Sequence, residues 1–74
     1  MNTFNTIQEI ESYLNILLIT LGEDEYRMFI ENTPILREYD ILMNDFKEQE
    51  LTSEFLQQVL ENVKNMMNNR VKNY

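Results

Sequence analysis

Residues 6–22 have the sequence TIQEIESYLNILLITLG, in which apolar side chains recur at steps of three and four residues. On an α-helix this spacing forms one continuous apolar stripe. Additional apolar residues widen the stripe until the second half of the segment is apolar nearly all round, which is typical of a helix buried on several sides. The segment therefore predicts a buried helix over residues 7–21. The stripe consists of Ile7, Ile10, Leu14, Leu17 and Leu21.

Both ends of this helix carry recognisable signals. Thr6 and Glu9 have the spacing of a capping box, so Thr6 is predicted to be the N-cap residue. Gly22 stands just past the last apolar position, where a glycine lets the chain leave a helix with a positive φ. Gly22 and Pro34 are also the only glycine and the only proline in the chain. So few turn-forming residues argue against a β-sandwich or barrel and favour an all-α fold.

Three further helices are predicted from the rest of the chain. The pair Thr33 and Pro34 predicts a break followed by a new helix, with threonine as N-cap and proline at the first helical position. Thr52 is predicted to cap the last helix, where Leu51 and Leu56 have the spacing of a hydrophobic staple. The predicted bounds are about 23–32, 34–47 and 53–71. The residues predicted to face inward include Tyr26, Phe29 and Ile30 on the second helix and Phe46 on the third.

The length of the chain limits its architecture. With 74 residues the protein has room for a single helical domain, residues 1–74. Domains of this size are only marginally stable without disulfides, a metal or a partner subunit. The chain contains neither cysteine nor histidine, so disulfides and the commonest zinc ligands are absent. We therefore predict a small all-α bundle of three to four helices, which homodimerisation could complete.

The side chains that usually carry catalysis are also absent. Without histidine or cysteine, the commonest general base and the easiest nucleophile are missing. A single glycine rules out a glycine-rich phosphate loop. Residues 23–25, Glu-Asp-Glu, are best explained as negative charge at the start of a helix, because an EF-hand pattern is lacking. The sequence predicts a protein that is not an enzyme and that has no cofactor and no metal.

Charge is distributed unevenly along the chain. Its 13 acidic and 6 basic residues give a formal net charge of −7. Residues 1–63 hold all the acids and three of the basic residues, a net charge of −10, whereas residues 64–74 carry +3. Such a surface repels the phosphates of nucleic acids and anionic membranes. We therefore expect no direct nucleic-acid or membrane partner, and we expect instead a larger protein with a basic surface.

Two sets of residues are candidate contact surfaces. Four acidic residues fall every seven positions and could form a negative strip that imitates phosphates, although ordinary solvated helix surface explains them as well. They are Asp24, Glu31, Glu38 and Asp45. Three apolar residues lie away from the predicted inner faces, and several such residues together can mark a dimer or partner contact. They are Ile19, Met28 and Ile41.

These features favour a non-catalytic, protein-binding regulator or inhibitor whose acidic helices dock on a basic protein, one that handles nucleic acids being an example. The alternative is a structural protein that assembles as a helical homodimer. A helix-turn-helix DNA binder comes third, because none of the predicted helices is basic enough to read DNA. The N-terminus lacks the basic start of a secretory signal, so a cytoplasmic location is expected. In size and composition, though in no motif, the chain resembles accessory proteins of phages and mobile elements, including anti-restriction and anti-CRISPR inhibitors.

Overall fold

The computed structural model describes residues 3–45 and 47–72, and within them every regular element is helical. Each helix packs against its neighbour in the chain, and the most extensive contact joins the first helix to the last. The predicted all-α bundle is therefore confirmed. The helices are α1 (Thr3–Leu21), α2 (Glu23–Asn32), α3 (Pro34–Asn44) and α4 (Ser53–Lys72), with a 3₁₀ turn at Glu48–Glu50.

The start of α1 differs from the prediction. The helix begins at Thr3, one turn before the predicted start, so Thr6 lies inside it and the capping box with Glu9 is wrong. Thr6 lies one turn before Ile10, which puts it on the buried stripe, and only 8% of its surface is exposed. Burial of this face outweighs the local preference of threonine for a cap.

Gly22 connects α1 to α2 without a loop. Its N–H donates to the Leu18 carbonyl (3.0 Å) and its own carbonyl accepts from the N–H of Tyr26 (3.0 Å), so it ends one helix and begins the next. As predicted, its φ is positive, at 87°. Combined with a ψ of 162°, this backbone conformation is essentially restricted to glycine. The single glycine therefore sets the angle at which α2 leaves α1.

The two predicted threonine caps behave differently. Thr33 has an extended backbone (φ −112°, ψ 101°) and is followed by Pro34 at the start of α3, which confirms the predicted break. Its side chain, however, makes no capping hydrogen bond. At α4 the N–H of Phe55 donates to Oγ1 of Thr52 (3.1 Å), so this side-chain cap is confirmed.

The segment between α3 and α4 also departs from the prediction. Helix α3 ends at Asn44 rather than at residue 47, and Asp45 occupies its C-cap position. The N–H of Lys47 still donates to the Leu42 carbonyl (2.9 Å), a wide turn that leads into the 3₁₀ segment. Phe46, which was predicted to face the core, lies outside the described residues, as do the side chains of Arg70 and Val71 on the last helix.

The core comes from α1, α3, α4 and Leu51, which lies two residues before α4. In α2 no side chain is fully buried, and Tyr26, Phe29 and Ile30 are only half-buried against the core. Helix α2 therefore covers the bundle from one side and leaves part of its own flank open. The buried hydrophobic residues are Ile10, Leu14, Leu17, Leu36, Tyr39, Leu51, Leu56, Val59, Leu60 and Val63.

Across the described helices, none combines the length and the apolar character needed to cross a membrane.

Candidate functional site

An open groove of about 740 Å³ runs between α1 and α2. We call it the α1–α2 groove. Two other depressions, of about 240 and 270 Å³, are smaller. It is lined by Leu18, Ile19, Glu23, Tyr26, Arg27, Ile30, Glu31 and Asp40.

The apolar wall of this groove comes mainly from the end of α1. Leu17 is buried, and Ile19 lies two residues further on, which is roughly the opposite side of a helix with 3.6 residues per turn. Ile19 is accordingly 84% exposed, the largest value among the exposed large apolar residues, and Leu18 is 38% exposed. Covering an isoleucine or leucine side chain fully is worth about 1.5–3 kcal/mol. A partner that covers this wall would therefore gain substantial binding energy.

The rim of the groove is negatively charged. Arg27 and Glu23, one turn apart on α2, form an ion pair of 3.2 Å, but both are well exposed and such pairs contribute little stability. Glu31 and Asp40 form no ion pair within the described residues. Three carboxylates against one guanidinium leave two negative charges around an apolar wall.

A smaller cleft of about 270 Å³ lies between α1, α2 and α3. We call it the tyrosine cleft, because Tyr26 and Tyr39 both line it together with the carboxylates of Glu11 and Asp40. It shares three lining residues with the α1–α2 groove, so the two depressions adjoin. The shared residues are Tyr26, Ile30 and Asp40.

Hydrogen bonds fix the polar groups of this cleft. The hydroxyl of buried Tyr39 donates to Oε2 of Glu11 across the helices (2.8 Å). The side-chain amide of Asn44 donates to Oδ2 of Asp40 one turn away (3.3 Å). Each of these donors is a neutral group, so neither hydrogen bond brings a positive charge into the cleft.

The electrostatic effect appears in the two tyrosines. Burial raises the pKa of Tyr39, and the hydrogen bond to Glu11 raises it further. Burial also raises the pKa of Tyr26, with additional contributions from the negative charges of Glu11 and Asp40. In both tyrosines burial is the main cause of the raised pKa, and the neighbouring carboxylates add to it.

All four residues of the predicted acidic strip are exposed, but they lie on two helices. Asp24 and Glu31 are on α2, whereas Glu38 is on α3 and Asp45 caps its end. The extended backbone at Thr33 interrupts the helix, so the seven-residue spacing has no helical meaning across it. Of the four, only Glu31 lines the α1–α2 groove.

The three predicted apolar contact residues are all exposed. Met28 is 59% and Ile41 48% exposed, and neither lines the α1–α2 groove, whereas Ile19 does. The structure thus brings one member of each predicted set, Ile19 and Glu31, into the same groove. Other exposed large apolar residues are Phe4, Ile16 and Leu18.

Sequence reasoning did not assign the tyrosine cleft or its Glu11 and Asp40 carboxylates to a site. The two residues come from α1 and α3, and no local pattern links them. Tyr26 and Ile30 were predicted to face inward, and they do so only in part. One feature of the sequence did point to this region. The end of α1 is apolar on nearly all sides, which indicates that a neighbouring helix packs there.

Among the described residues, no group of three or more histidine, cysteine, aspartate or glutamate side chains is placed to hold a metal ion. Comparison of the chain with known protein families, curated proteins and solved structures gives no match.

Proposed function

We propose that this protein is a non-catalytic regulator or inhibitor that binds a larger cytoplasmic protein through its acidic helical surface. The observation that carries the proposal is the α1–α2 groove. In it, the most exposed isoleucine of the chain, Ile19, stands beside Glu31 and Asp40, which have no ion-pair partner among the described residues. An apolar contact surrounded by unpaired carboxylates is suited to a basic protein surface.

The distribution of charge supports this class of partner. The net charge of −10 over residues 1–63 opposes binding to phosphate backbones, so neither nucleic acid nor an anionic membrane is proposed as a direct partner. The same charge accelerates association with a basic protein. A nucleic-acid-handling protein has such a surface, and the phage-like size and composition of the chain agree with that choice.

A second candidate function is assembly as a homodimer. It is favoured by exposure of Ile19, Met28 and Ile41, which a second copy could cover. The two functions are compatible, since an inhibitor can also be a dimer.

Affinity capture of the tagged protein from a lysate of its native host, at low and at high salt, tests the proposal. We expect a basic, nucleic-acid-handling protein to be recovered at low salt and lost at high salt, because ionic contacts are screened. Reversal of Glu31, Glu38 and Asp45 to lysine should abolish its recovery while leaving the helical circular dichroism intact.

The matched control reverses three exposed acids elsewhere, Glu50, Glu54 and Glu61, and changes the net charge equally. If the partner contacts the strip and the groove themselves, rather than responding to net charge, this control should retain most of the recovery. Equal recovery by wild type and the first variant would contradict the proposal. Recovery of the protein's own chain alone would favour the homodimer.

A further inference from the structure

We infer that the α1–α2 groove and the tyrosine cleft together bind two neighbouring side chains of one partner segment, an apolar side chain in the groove and a lysine or arginine in the cleft. This inference rests on the proposed function and specifies the chemistry that the partner must present.

The two depressions are close enough for both side chains to come from one segment. Tyr26, Ile30 and Asp40 line both depressions, so an occupant of one lies next to an occupant of the other. Side chains one turn apart on a helix, at positions i and i+3 or i+4, are neighbours of this kind. A basic amphipathic helix of the partner fits the arrangement, because it presents an apolar and a cationic side chain on one face.

The charges of the cleft select a cation. Glu11 and Asp40 both line it, and its ten lining residues include no lysine or arginine. The carboxylate of Glu11 accepts one hydrogen bond from Tyr39, and that of Asp40 accepts one from Asn44. Since an ionised carboxylate offers about four acceptor positions, both retain capacity for a further donor. An ammonium or guanidinium group supplies charge-assisted donors of the required kind.

The groove supplies the apolar half of the contact. Ile19, Leu18 and Ile30 line it, and Ile19 is almost fully solvated in the free protein. A leucine, isoleucine or methionine of the partner would remove this wall from water. The acidic rim, by contrast, disfavours a segment that carries carboxylates next to that anchor. Together the two depressions define a recognition element of one apolar and one basic side chain.

The test uses a defined probe, a short synthetic helical peptide that carries one leucine and one arginine one turn apart on the same face. Two matched peptides replace arginine with citrulline, which removes the charge, or leucine with alanine. Each is titrated into ¹⁵N-labelled protein at low and at high salt. We expect the arginine–leucine peptide to perturb the amides of Ile19, Ile30 and Asp40, and both matched peptides to bind more weakly.

Substitutions of the protein complete the test. Asp40→Asn keeps the shape of the side chain and should weaken peptide binding about tenfold, the usual cost of losing a hydrogen bond to a charged group. Glu11→Gln, which retains an acceptor for the Tyr39 hydroxyl, should do the same. Glu61→Gln on α4 is the matched control, since it removes one negative charge from an exposed position that lies outside the acidic strip and lines neither depression. Its affinity should change less than twofold, a change expected of screened charge at a distance.

Several results would overturn the inference: no binding of the arginine–leucine peptide, equal binding of the citrulline peptide, an equal loss in the Glu61→Gln control, or perturbations confined to α4. Its failure can be told from failure of the proposed function. A host protein that is captured in a salt-dependent manner by wild type and equally by Asp40→Asn would leave the proposed function standing and remove the cation site. A second copy of the chain as occupant would appear as self-association that Asp40→Asn weakens, and that result would contradict the choice of a foreign partner.

Discussion

The hydroxyl of Tyr39 in α3 donates a 2.8 Å hydrogen bond to the carboxylate of Glu11 in α1. Tyr39 is only 3% exposed, whereas Glu11 is exposed. The bond therefore joins a buried phenol to a charge at the protein surface. Tyr39 belongs to the core and at the same time lines the tyrosine cleft. Stability and the shape of the candidate site are consequently coupled at this residue.

Removal of the hydroxyl measures the strength of this bond. Tyr39→Phe keeps the ring in the core and should lower the free energy of unfolding by about 1–2 kcal/mol, toward the low end for a hydrogen bond to a charged group because Glu11 is solvated. Urea unfolding followed by circular dichroism gives the value. Tyr13→Phe is the control, because Tyr13 is half-buried on α1 and makes no comparable interhelical bond to any residue that the structure describes. It should change stability by less than about 0.5 kcal/mol, and an equal loss in both variants would contradict our interpretation.

The raised tyrosine pKa values predict a loss of stability at alkaline pH. In the unfolded chain these phenols deprotonate near the ordinary value of 10.0, whereas in the folded protein Tyr39 and Tyr26 hold their protons to higher pH. Their stabilising contribution is therefore fully present below pH 10.0 and is lost as the pH rises above it. Urea midpoints measured on both sides of that pH should fall on the alkaline side. The decline should be shallower in Tyr39→Phe, and an identical slope would contradict the assignment.

The two threonines that precede α3 and α4 form a natural pair for measuring a helix cap. Thr52→Ala removes the side-chain acceptor of the Phe55 N–H and should cost about 1 kcal/mol of stability. Thr33→Ala removes no capping bond, because the side chain of Thr33 makes none. It should cost only a few tenths of a kcal/mol. Thermal or urea unfolding measures the loss of stability in each variant. A larger loss for Thr33→Ala than for Thr52→Ala would show that the caps are wrongly assigned.

Oligomeric state tests the alternative function. If Ile19 lies in a dimer interface, Ile19→Glu should convert a dimer into a folded monomer, because the variant would bury an unpaired charge. Sedimentation equilibrium or light scattering over a range of concentrations measures the mass. Asn65→Glu, on the exposed side of α4, adds the same charge and should leave the dimer intact. A wild-type protein that remains a monomer at high concentration would rule the homodimer out.

The features that could be predicted from sequence are those that local chemistry determines. The positive φ of Gly22, the break before Pro34 and the Thr52 cap depend on a few adjacent atoms, and each is found in the structure. The start of α1 could not be predicted in this way. Thr6 has the chemistry of a cap but lies on the face that meets the core, and its position there follows from tertiary packing.

Single residues of the candidate site could be predicted from the sequence, but their arrangement could not. Ile19 and Glu31 were each singled out, for different reasons, but their meeting in one groove depends on how α2 folds back beside α1. Glu11 and Asp40 come from separate helices and share a cleft only because α2 and α3 are broken apart at Thr33. A regular spacing of residues places them on one face only within an uninterrupted helix, and the helix is interrupted at Thr33.

The dominant contact between α1 and α4 also has a consequence for synthesis on the ribosome. Ile10, Leu14 and Leu17 are made early, yet the helix that covers them, α4, starts only at Ser53. Synthesis adds about 5–20 residues per second, and a domain generally folds as a unit. Helix α1 therefore leaves the exit tunnel of the ribosome before α4 does, and its apolar stripe is uncovered until α4 emerges. The nascent chain thus passes through an interval in which chaperones, or a partner already present, can bind the surface that later becomes the core.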